Sequence, residues 1–267
     1  MSQTNNATIQ LYSNSLPFAL TNFTFMQLKI FSDYQALSNY AAEVMLAQLE
    51  RKPDSLIGLV SGDSPRLAYD LFVEKALAKG VDTSRLCFVG FDEWVGIPPE
   101  NEGSCHRFLH RHVFDPLHLP KANYHVFDAL SSDLDGECQA MNAFIAQRGG
   151  LDLLLVGVGM NGHIGFNEPG VDFGNYAHVQ LLEEITLSVG QKYFQEATEL
   201  KYGITLGLRH LTEAAHVLML ANGQKKAAIM QQALEGVVGK ELPASIIRTH
   251  PNSEVLLDEA AAGELNR

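Results

Sequence analysis

The chain has no long hydrophobic run and no excess of positive charge. None of its apolar stretches approaches the roughly 20 residues that a membrane-spanning helix needs. With 19 Lys and Arg against 31 Asp and Glu, the formal net charge is -12. A nucleic-acid partner normally requires a basic face, so the composition argues against such a partner as well as against a membrane span. An anionic ligand must be held by local groups, because the overall field repels it.

Cysteine is also scarce, and its spacing is uninformative. Cys87, Cys105 and Cys138 have neither paired nor metal-ligand spacing, which argues against a disulfide framework. His106 and His110 are one helical turn apart but lack a partnering acid at metalloprotease spacing. The sequence therefore predicts a reduced, cytoplasmic protein without a metal.

Residues 1–25 contain no charged side chain and are rich in Asn, Thr and Ser. A secretory signal begins with a basic segment, so this stretch does not have the character of one. A regular apolar pattern starts at Met26. We expect residues 1–25 to be a disordered N-terminal extension and residues 26–267 to form a single domain.

From Met26 onward, short apolar runs alternate with longer amphipathic ones. This alternation predicts βαβ units, a mainly parallel sheet and helices on both of its faces. The predicted strands are Gln27–Phe31, Ser55–Val60, Arg85–Phe91, Asp152–Val158, His216–Leu220 and Glu254–Leu257. The predicted helices are Asp33–Glu50, Pro65–Lys79, Ser104–Phe114, Asp133–Gln147, Leu187–Thr198 and Lys225–Glu235.

Small or polar side chains directly follow four of these strands. The carboxyl ends of parallel strands form the edge of a sheet where ligands bind. We therefore expect functional groups from all four strand ends to meet there. The four segments are Ser61–Pro65, Asp92–Trp94, Gly157–Gly170 and Ala221–Lys225.

The segment Gly157–Gly170, GVGMNGHIGFNEPG, is the most informative part of the chain. His163 and Glu168 are five residues apart on a glycine-punctuated loop, which can fold the two side chains against each other. An imidazole oriented by a carboxylate transfers protons near neutral pH. A single histidine is more often structural, but its place at the predicted ligand edge favours a functional role.

The turn Ser61–Pro65 has features of an anion site. Ser64 fits a helix N-cap and Pro65 fits the first helical position, where exposed N–H groups suit a phosphate. A plain capped turn is nevertheless favoured on the local sequence alone, because Asp63 would repel a phosphate. Lys225, near the start of a later helix, is a second hint of a bound anion. Its alternative is an ordinary exposed lysine.

Asp92 and Glu93 follow a strand that is predicted to be buried. Adjacent side chains alternate sides in extended backbone, so only one of the two can face a ligand site. As a general base, that residue would complement His163. The pair is equally compatible with a turn or a helix cap.

Together these motifs resemble the hexosamine-6-phosphate deaminase/isomerase family. The similarity rests on GMNGHIGFNEPG, FDEWVGIP, the SGDSP turn, the Gly-Gln-Lys segment and PASIIRTHPN, and it runs from about Met26 nearly to the C-terminus. The related 6-phosphogluconolactonases share a Gly-His loop but lack the Phe-Asn-Glu-Pro continuation. Asp92-Glu93-Trp94 and the Gly-Ser-Cys at 103–105 are nearer to the galactosamine-6-phosphate isomerase branch.

The resemblance implies a Rossmann-like three-layer α/β/α domain that deaminates glucosamine- or galactosamine-6-phosphate to a ketohexose 6-phosphate. It implies no redox cofactor and no metal. Asp92 would carry a proton from C2 to C1, and His163, tuned by Asn161 and Glu168, would assist ring opening. The residues assigned to the phosphate site are Ser61, Gly62, Asp63, Ser64, Lys192 and Lys225.

Three positions depart from the family's pattern. The best-known members carry Asp where this chain has Asn161, and a neutral amide stabilises imidazolium less than a carboxylate does. Asp63 replaces a small residue of the phosphate turn, so its side chain must point away or cap the helix. Lys192 aligns with a phosphate-binding arginine of the family's mobile lid. A lysine supplies the positive charge but cannot form the two parallel hydrogen bonds that an arginine gives to a phosphate.

Two alternative functions stay open. A sugar-lactone hydrolase of the 6-phosphogluconolactonase type would use His163 to activate water, but Asp92-Glu93 and Asn167-Glu168 argue against it. A catalytically silent sugar-phosphate sensor is compatible with the three departures. The sequence does not decide the C4 epimer of the substrate, or whether the chain forms a homo-oligomer.

Overall fold

The computed structural model describes residues 8–11 and 26–266, and its core is an eight-stranded sheet. The strands of the structure are β1 (Thr8–Leu11), β2 (Gln27–Phe31), β3 (Leu56–Leu59), β4 (Cys87–Gly90), β5 (Asp92–Trp94), β6 (Tyr124–His125), β7 (Leu153–Gly157), β8 (His178–Leu181), β9 (Tyr202–Thr205), β10 (Val217–Ala221) and β11 (Ser253–Asp258). The main sheet has the order β1-β2-β11-β10-β7-β3-β4-β6. Its pairings are parallel except for the antiparallel edge pair of β1 with β2.

The central strands are apolar on both faces, because helices cover both sides of the sheet. Every residue of β3, β4 and β10 is buried, and β7 is buried up to its final glycine. All six predicted strands are confirmed, with ends that differ by no more than two residues.

The helices are α1 (Tyr34–Arg51), α2 (Asp63–Lys79), α3 (Cys105–Leu109), α4 (Leu134–Gln147), α5 (Glu184–Gly190), α6 (Leu208–Glu213) and α7 (Ala227–Glu235). α1 and α2 pack together on one face of the sheet, and α4 and α7 bury their apolar sides on the other. The predicted three-layer α/β/α, Rossmann-like class is therefore confirmed.

A small second sheet is the main element that the sequence does not predict. It is antiparallel with the order β5-β9-β8, and it is joined to the main sheet by the Leu206 N–H, which donates to the Phe91 carbonyl at 2.7 Å. β5 has only three residues, which is too short for a periodic signal. Its first residue is Asp92, so the second sheet fixes the backbone of that predicted base.

The predicted helix Leu187–Thr198 is only partly correct. α5 begins three residues earlier, at Glu184, and ends at Gly190, after which a 3₁₀ turn covers Gln191–Tyr193. A Cβ at Gly190 would lie 2.5 Å from the ring of Trp94, so glycine allows the segment to pass close to the indole there. The 3₁₀ turn places Lys192 beside Asp63, the first residue of α2.

The predicted helix Ser104–Phe114 also changes its geometry. α3 ends at Leu109, and His110–Phe114 continues as a π-helical turn. Such turns are rare and are not signalled by apolar periodicity.

At the N-terminus, the sequence does not predict β1, which pairs with β2. The other residues of 1–25 lie outside the described part of the chain, and for them the disordered extension stays a prediction. Across residues 8–11 and 26–266, no helix has the length and apolar character that crossing a membrane requires.

The tight contact at Gly207 gives a test of the packing between the start of α6 and the loop that precedes β8. A Cβ there would lie 2.1 Å and 2.2 Å from the carbonyl oxygens of Asn175 and Tyr176. Because backbone cannot move aside as a flexible side chain can, we expect Gly207→Ala to lower the free energy of unfolding by about 1–3 kcal/mol. Gly239→Ala is the control, since no described atom lies within 4 Å of its added Cβ. Equal losses for the two variants in urea denaturation would contradict the packing.

Candidate active site

A cleft opens at the carboxyl edge of the main sheet, where the strand-end pattern predicts a ligand site. Segments that follow β3, β4, β7 and β10 line it, and α5 with its 3₁₀ turn forms an opposing wall. Asn161 and Glu168 lie behind the imidazole of His163. The predicted residues that line the cleft are Ser61, Gly62, Asp63, Ser64, Asp92, His163 and Lys192.

Asp92 faces this cleft and is only 8% exposed. Its Oδ1 is buried and has no hydrogen-bond partner among the described residues. Burial, and secondarily the negative charge of Glu93, raise the pKa of Asp92 to about 8. A carboxylate in this environment holds a proton more tightly than an ordinary one, which suits a group that takes a proton from carbon.

Glu93 points away from the cleft, so only one of the two adjacent acids faces it, as the alternation predicts. Its carboxylate accepts hydrogen bonds from the Ser104 hydroxyl at 2.6 Å and from the N–H groups of Cys105 and His106 at 3.0 and 2.8 Å. These donors lie at the start of α3, where an acid is favoured. Glu93 thus connects β5 to the start of α3 through hydrogen bonds, and its negative charge contributes to the raised pKa of Asp92.

His163 is oriented by an acid and a hydroxyl. Its Nδ1 lies 3.1 Å from Thr186 Oγ1 and 3.5 Å from Glu168 Oε2. Burial alone would raise the pKa of Glu168, but the hydrogen bond and charge of His163, with Thr186 and Asn161, hold that pKa below its ordinary value. Because the carboxylate stays ionised, we assign the imidazole proton to Nδ1, which leaves Nε2 free to act as a base.

Asn161 supports the same group from behind. Its Oδ1 accepts the backbone N–H of His163 at 3.2 Å, and its Nδ2 donates to Glu168 Oε2 at 2.8 Å. On the other side of the ring, a Cβ at Gly159 would lie 2.3 Å from the imidazole. The loop therefore needs glycine at position 159 to admit the ring in this orientation.

The turn after β3 carries the predicted anion site, although its capping differs from the expectation. α2 begins at Asp63 with Gly62 as the N-cap, so the predicted capping by Ser64 is wrong. Gly62 has φ +138°, which glycine adopts readily, and this starts the helix two residues early. Ser64 instead donates to Asn222 Oδ1 at 2.8 Å and joins the turns after β3 and β10. No side chain in residues 8–11 or 26–266 caps the start of α2, which borders the cleft, and this arrangement suits an anion.

Asp63 points towards the opposing wall, where it pairs with Lys192. Lys192 Nζ lies 2.6 Å from Asp63 Oδ2, and the two side chains are 49% and 62% exposed. Burial lowers the pKa of Lys192, but the hydrogen bond and charge of Asp63, together with Tyr193, outweigh it and the net shift is upward. An exposed pair contributes little to stability, so a stronger anion can take Lys192 from Asp63.

Lys225 is placed outside the cleft, which corrects the sequence assignment. It is exposed, whereas the next residue, Lys226, lines the cleft. Gln224–Lys226 form a 3₁₀ turn before α7, and successive side chains of such a turn point about 120° apart. Lys226 Nζ donates to the Val158 carbonyl at 2.5 Å, while burial and secondarily the charge of Lys192 lower its pKa to about 8.

Three side chains at the site were not predicted: Glu183, Thr186 and Lys226. Glu183 and Thr186 were not predicted because the predicted helix began at Leu187 and so did not include either residue. For Lys226, the sequence offers two adjacent lysines, and only the turn geometry distinguishes them. An earlier helix start would have placed Thr186 on the wall that faces His163.

Comparison with known proteins agrees with this geometry. Residues 33–257 match the family model of glucosamine-6-phosphate isomerases and 6-phosphogluconolactonases. The chain belongs to this family. The match confirms the resemblance seen in the sequence. The similarity of some motifs to the galactosamine-6-phosphate isomerase branch stays a prediction.

Individual relatives are similar over most of their length. A glucosamine-6-phosphate deaminase of Lachnoclostridium phytofermentans is 38% identical over 226 residues, which cover 84% of this chain and 96% of the relative. One from Geobacillus sp. is 34% identical over 237 residues, with 88% and 94% covered. The solved structure of a monomeric glucosamine-6-phosphate deaminase gives a TM-score of 0.86 at 28% identity, covering 89% of this chain and 99% of the other. A 6-phosphogluconolactonase from Trypanosoma brucei, with a TM-score of 0.74 at 19% identity and coverages of 92% and 100%, shares the fold.

Asp92→Asn tests the electrostatic cost of the buried acid. The pKa of Asp92 is about 8 in the folded protein and about 3.9 in an unfolded chain, so between these values the folded state holds a proton that the unfolded state has lost. The contribution of this group to stability therefore falls as the pH rises through that window and levels off above it. We expect the free energy of unfolding of Asp92→Asn to rise relative to that of wild type as the pH increases from about 4 to about 8. Urea denaturation checks this, and a pH-independent difference would contradict the assignment.

Proposed function

We propose that the protein is an amino-hexose-6-phosphate deaminase/isomerase, which converts a 2-amino-2-deoxyhexose 6-phosphate into a ketohexose 6-phosphate and ammonia. The observation that carries the proposal is the buried Oδ1 of Asp92, which has no hydrogen-bond partner within the described part of the chain. Its side chain lines the same cleft as His163. The first group suits proton transfer at carbon and the second suits proton transfer at oxygen. Named deaminases at 38% and 34% identity support the same reaction.

His163 acts first, on the closed sugar ring. Its Nε2 takes the proton of the anomeric hydroxyl and delivers a proton to the ring oxygen, so the bond between C1 and that oxygen breaks and an aldehyde forms. Glu168 lies beside Nδ1 and stabilises the imidazolium between the two transfers. Asn161 keeps Glu168 in place.

Asp92 then acts on the open chain. Its carboxylate removes the C2 proton to give an enolate and then returns that proton to C1, while one proton of the amine passes to O1, which leaves a 2-imine with a hydroxyl on C1. Water adds to the imine and ammonia leaves, so a 2-ketose phosphate is the product. No redox cofactor or metal enters this balance. The raised pKa of Asp92 favours retention of the proton between the two transfers.

The phosphate end positions the substrate. We assign it to the start of α2 beside Ser61 and Gly62, with Lys226 on one side and Lys192 on the other. The net charge of -12 repels an anionic sugar, so these lysines and the helix start must supply the local attraction. Binding at this remote group holds C2 against Asp92, where a general base alone contributes only about 10²–10⁴ in rate.

The proposal leaves the C4 epimer to experiment, because one hydroxyl contact decides between glucosamine- and galactosamine-6-phosphate. It includes a cytoplasmic location, which the three buried free cysteines support. It includes neither a nucleic-acid nor a membrane partner.

An activity assay tests the reaction itself. We expect wild type to release ammonia and ketose phosphate from at least one of the two amino sugars, and Asp92→Asn and His163→Gln each to lower kcat by about 10²–10⁴. Turnover of 6-phosphogluconolactone without ammonia release would identify a lactonase instead. Binding of both sugars without turnover would identify a sensor.

The adjacent lysines test the phosphate site. We expect Lys226→Ala to raise KM by about 10- to 100-fold, since a hydrogen bond to a charged group contributes about 1.5–3 kcal/mol. Lys225→Ala removes the same charge one residue away from an exposed position, so its KM should stay near the wild-type value. Steady-state kinetics with the preferred sugar check the pair, and the reverse order of effects would contradict the placement.

A further inference from the structure

Glu183 contacts the histidine loop through both its backbone and its side chain. It is the N-cap residue of α5, in extended backbone with φ -73° and ψ 153°. Its N–H donates to Glu168 Oε1 at 3.2 Å, and its own Oε2 accepts from Asn161 Nδ2 at 2.7 Å. The residue therefore joins the α5 wall of the cleft to the two groups that lie behind His163.

Both hydrogens of the Asn161 amide are used by these contacts. One hydrogen of its Nδ2 goes to Glu168 and the other to Glu183, while its Oδ1 accepts the backbone N–H of His163. Two carboxylates on either side of one NH₂ group fix the orientation of the amide. An aspartate at this position would offer no hydrogen to either neighbour and would place three carboxylates side by side.

The identity of residue 161 and the presence of Glu183 are therefore linked. In this chain Asn161 contributes no charge, but its second hydrogen binds the carboxylate of Glu183. Glu168 and Glu183 are thus the two carboxylates that hold the amide whose oxygen accepts the His163 N–H.

We propose that Glu183 is a positioning residue of the deaminase site: through the Asn161 amide, its carboxylate holds the Glu168–His163 pair and supplies the negative charge that Asn161 lacks. This inference rests on the function proposed above. Glu183 acts through Asn161 and does not need to touch the sugar. Its removal should therefore affect kcat, whereas KM depends on the phosphate at the other end of the cleft.

The test compares four variants with wild type: Glu183→Gln, Asn161→Asp, the double variant with both changes, and Glu184→Gln. Glu184 is the matched control, since it is the next residue on the same wall, is exposed, and has a side chain that forms no hydrogen bond within the described part of the chain. Each variant is assayed for ammonia release with glucosamine- and galactosamine-6-phosphate, and its thermal unfolding is recorded to verify folding.

In the native background, we expect Glu183→Gln to lower kcat about 3- to 10-fold with KM within about twofold, because a hydrogen bond to a charged acceptor is replaced by one to a neutral acceptor. Glu184→Gln should match wild type. Asn161→Asp should lower kcat about 100-fold, since neighbouring carboxylates oppose one another's ionisation.

The double variant provides the sharpest result. In the Asn161→Asp background, Glu183→Gln removes one of three carboxylates and introduces an amide that can donate to the new aspartate, so kcat should rise above that of Asn161→Asp alone. Glu183→Gln is thus harmful beside the native asparagine and beneficial beside an aspartate, which a purely structural role would not produce. Equal kcat values for Glu183→Gln and Glu184→Gln, or no recovery in a folded double variant, would overturn the inference while leaving an active wild type and its proposed function intact. An inactive wild type would overturn both.

Discussion

The buried carboxylate of Glu168 is the constraint on which the site depends. At 1% exposure it must be supplied with donors, because an unpaired buried charge is strongly destabilising. Its donors come from two segments: the Asn161 side chain on the loop after β7 and the Glu183 N–H at the start of α5. The loop and the wall must therefore stay together for the charge to be satisfied. That requirement orients His163 and also places Lys192, further along the same wall, opposite the turn after β3.

Burial shifts the pKa of a charged group in opposite directions at the two ends of the cleft, upward for an acid at one end and downward for a lysine at the other. Glu93 uses the N–H groups at the start of α3, whereas Asp92 is left buried beside it, and its pKa rises to about 8 for that reason. At the other end, burial and the charge of Lys192 lower the pKa of Lys226 to about 8. A phosphate between these lysines would offset their repulsion and favour the charged form of Lys226. The phosphate of the proposed substrate would therefore compete with Asp63 for Lys192 and add negative charge beside Lys226.

Much of this arrangement could be predicted from the sequence, because it follows from strong local signals. Buried strands and the polar residues after them located the ligand edge, and the glycine-rich loop located His163 and Glu168. The rest depends on geometry that apolar periodicity does not encode. β5 is too short to be recognised, the φ of Gly62 moves the start of α2, and the 3₁₀ turn before α7 selects Lys226 over Lys225. The contact between Glu183 and Asn161 joins residues 22 positions apart, so it appears only when α5 is folded against the loop.

The central claim is that Asp92 lies against C2 of an open-chain amino sugar phosphate whose phosphate is held at the start of α2. The most direct test is a crystal structure with 2-amino-2-deoxyglucitol 6-phosphate or its galacto epimer, analogues that cannot close into a ring. The account predicts the phosphate beside Gly62 and Lys226, with Asp92 Oδ1 about 3–3.5 Å from C2. A phosphate bound elsewhere, or a C2 atom beyond reach of Asp92, would contradict it.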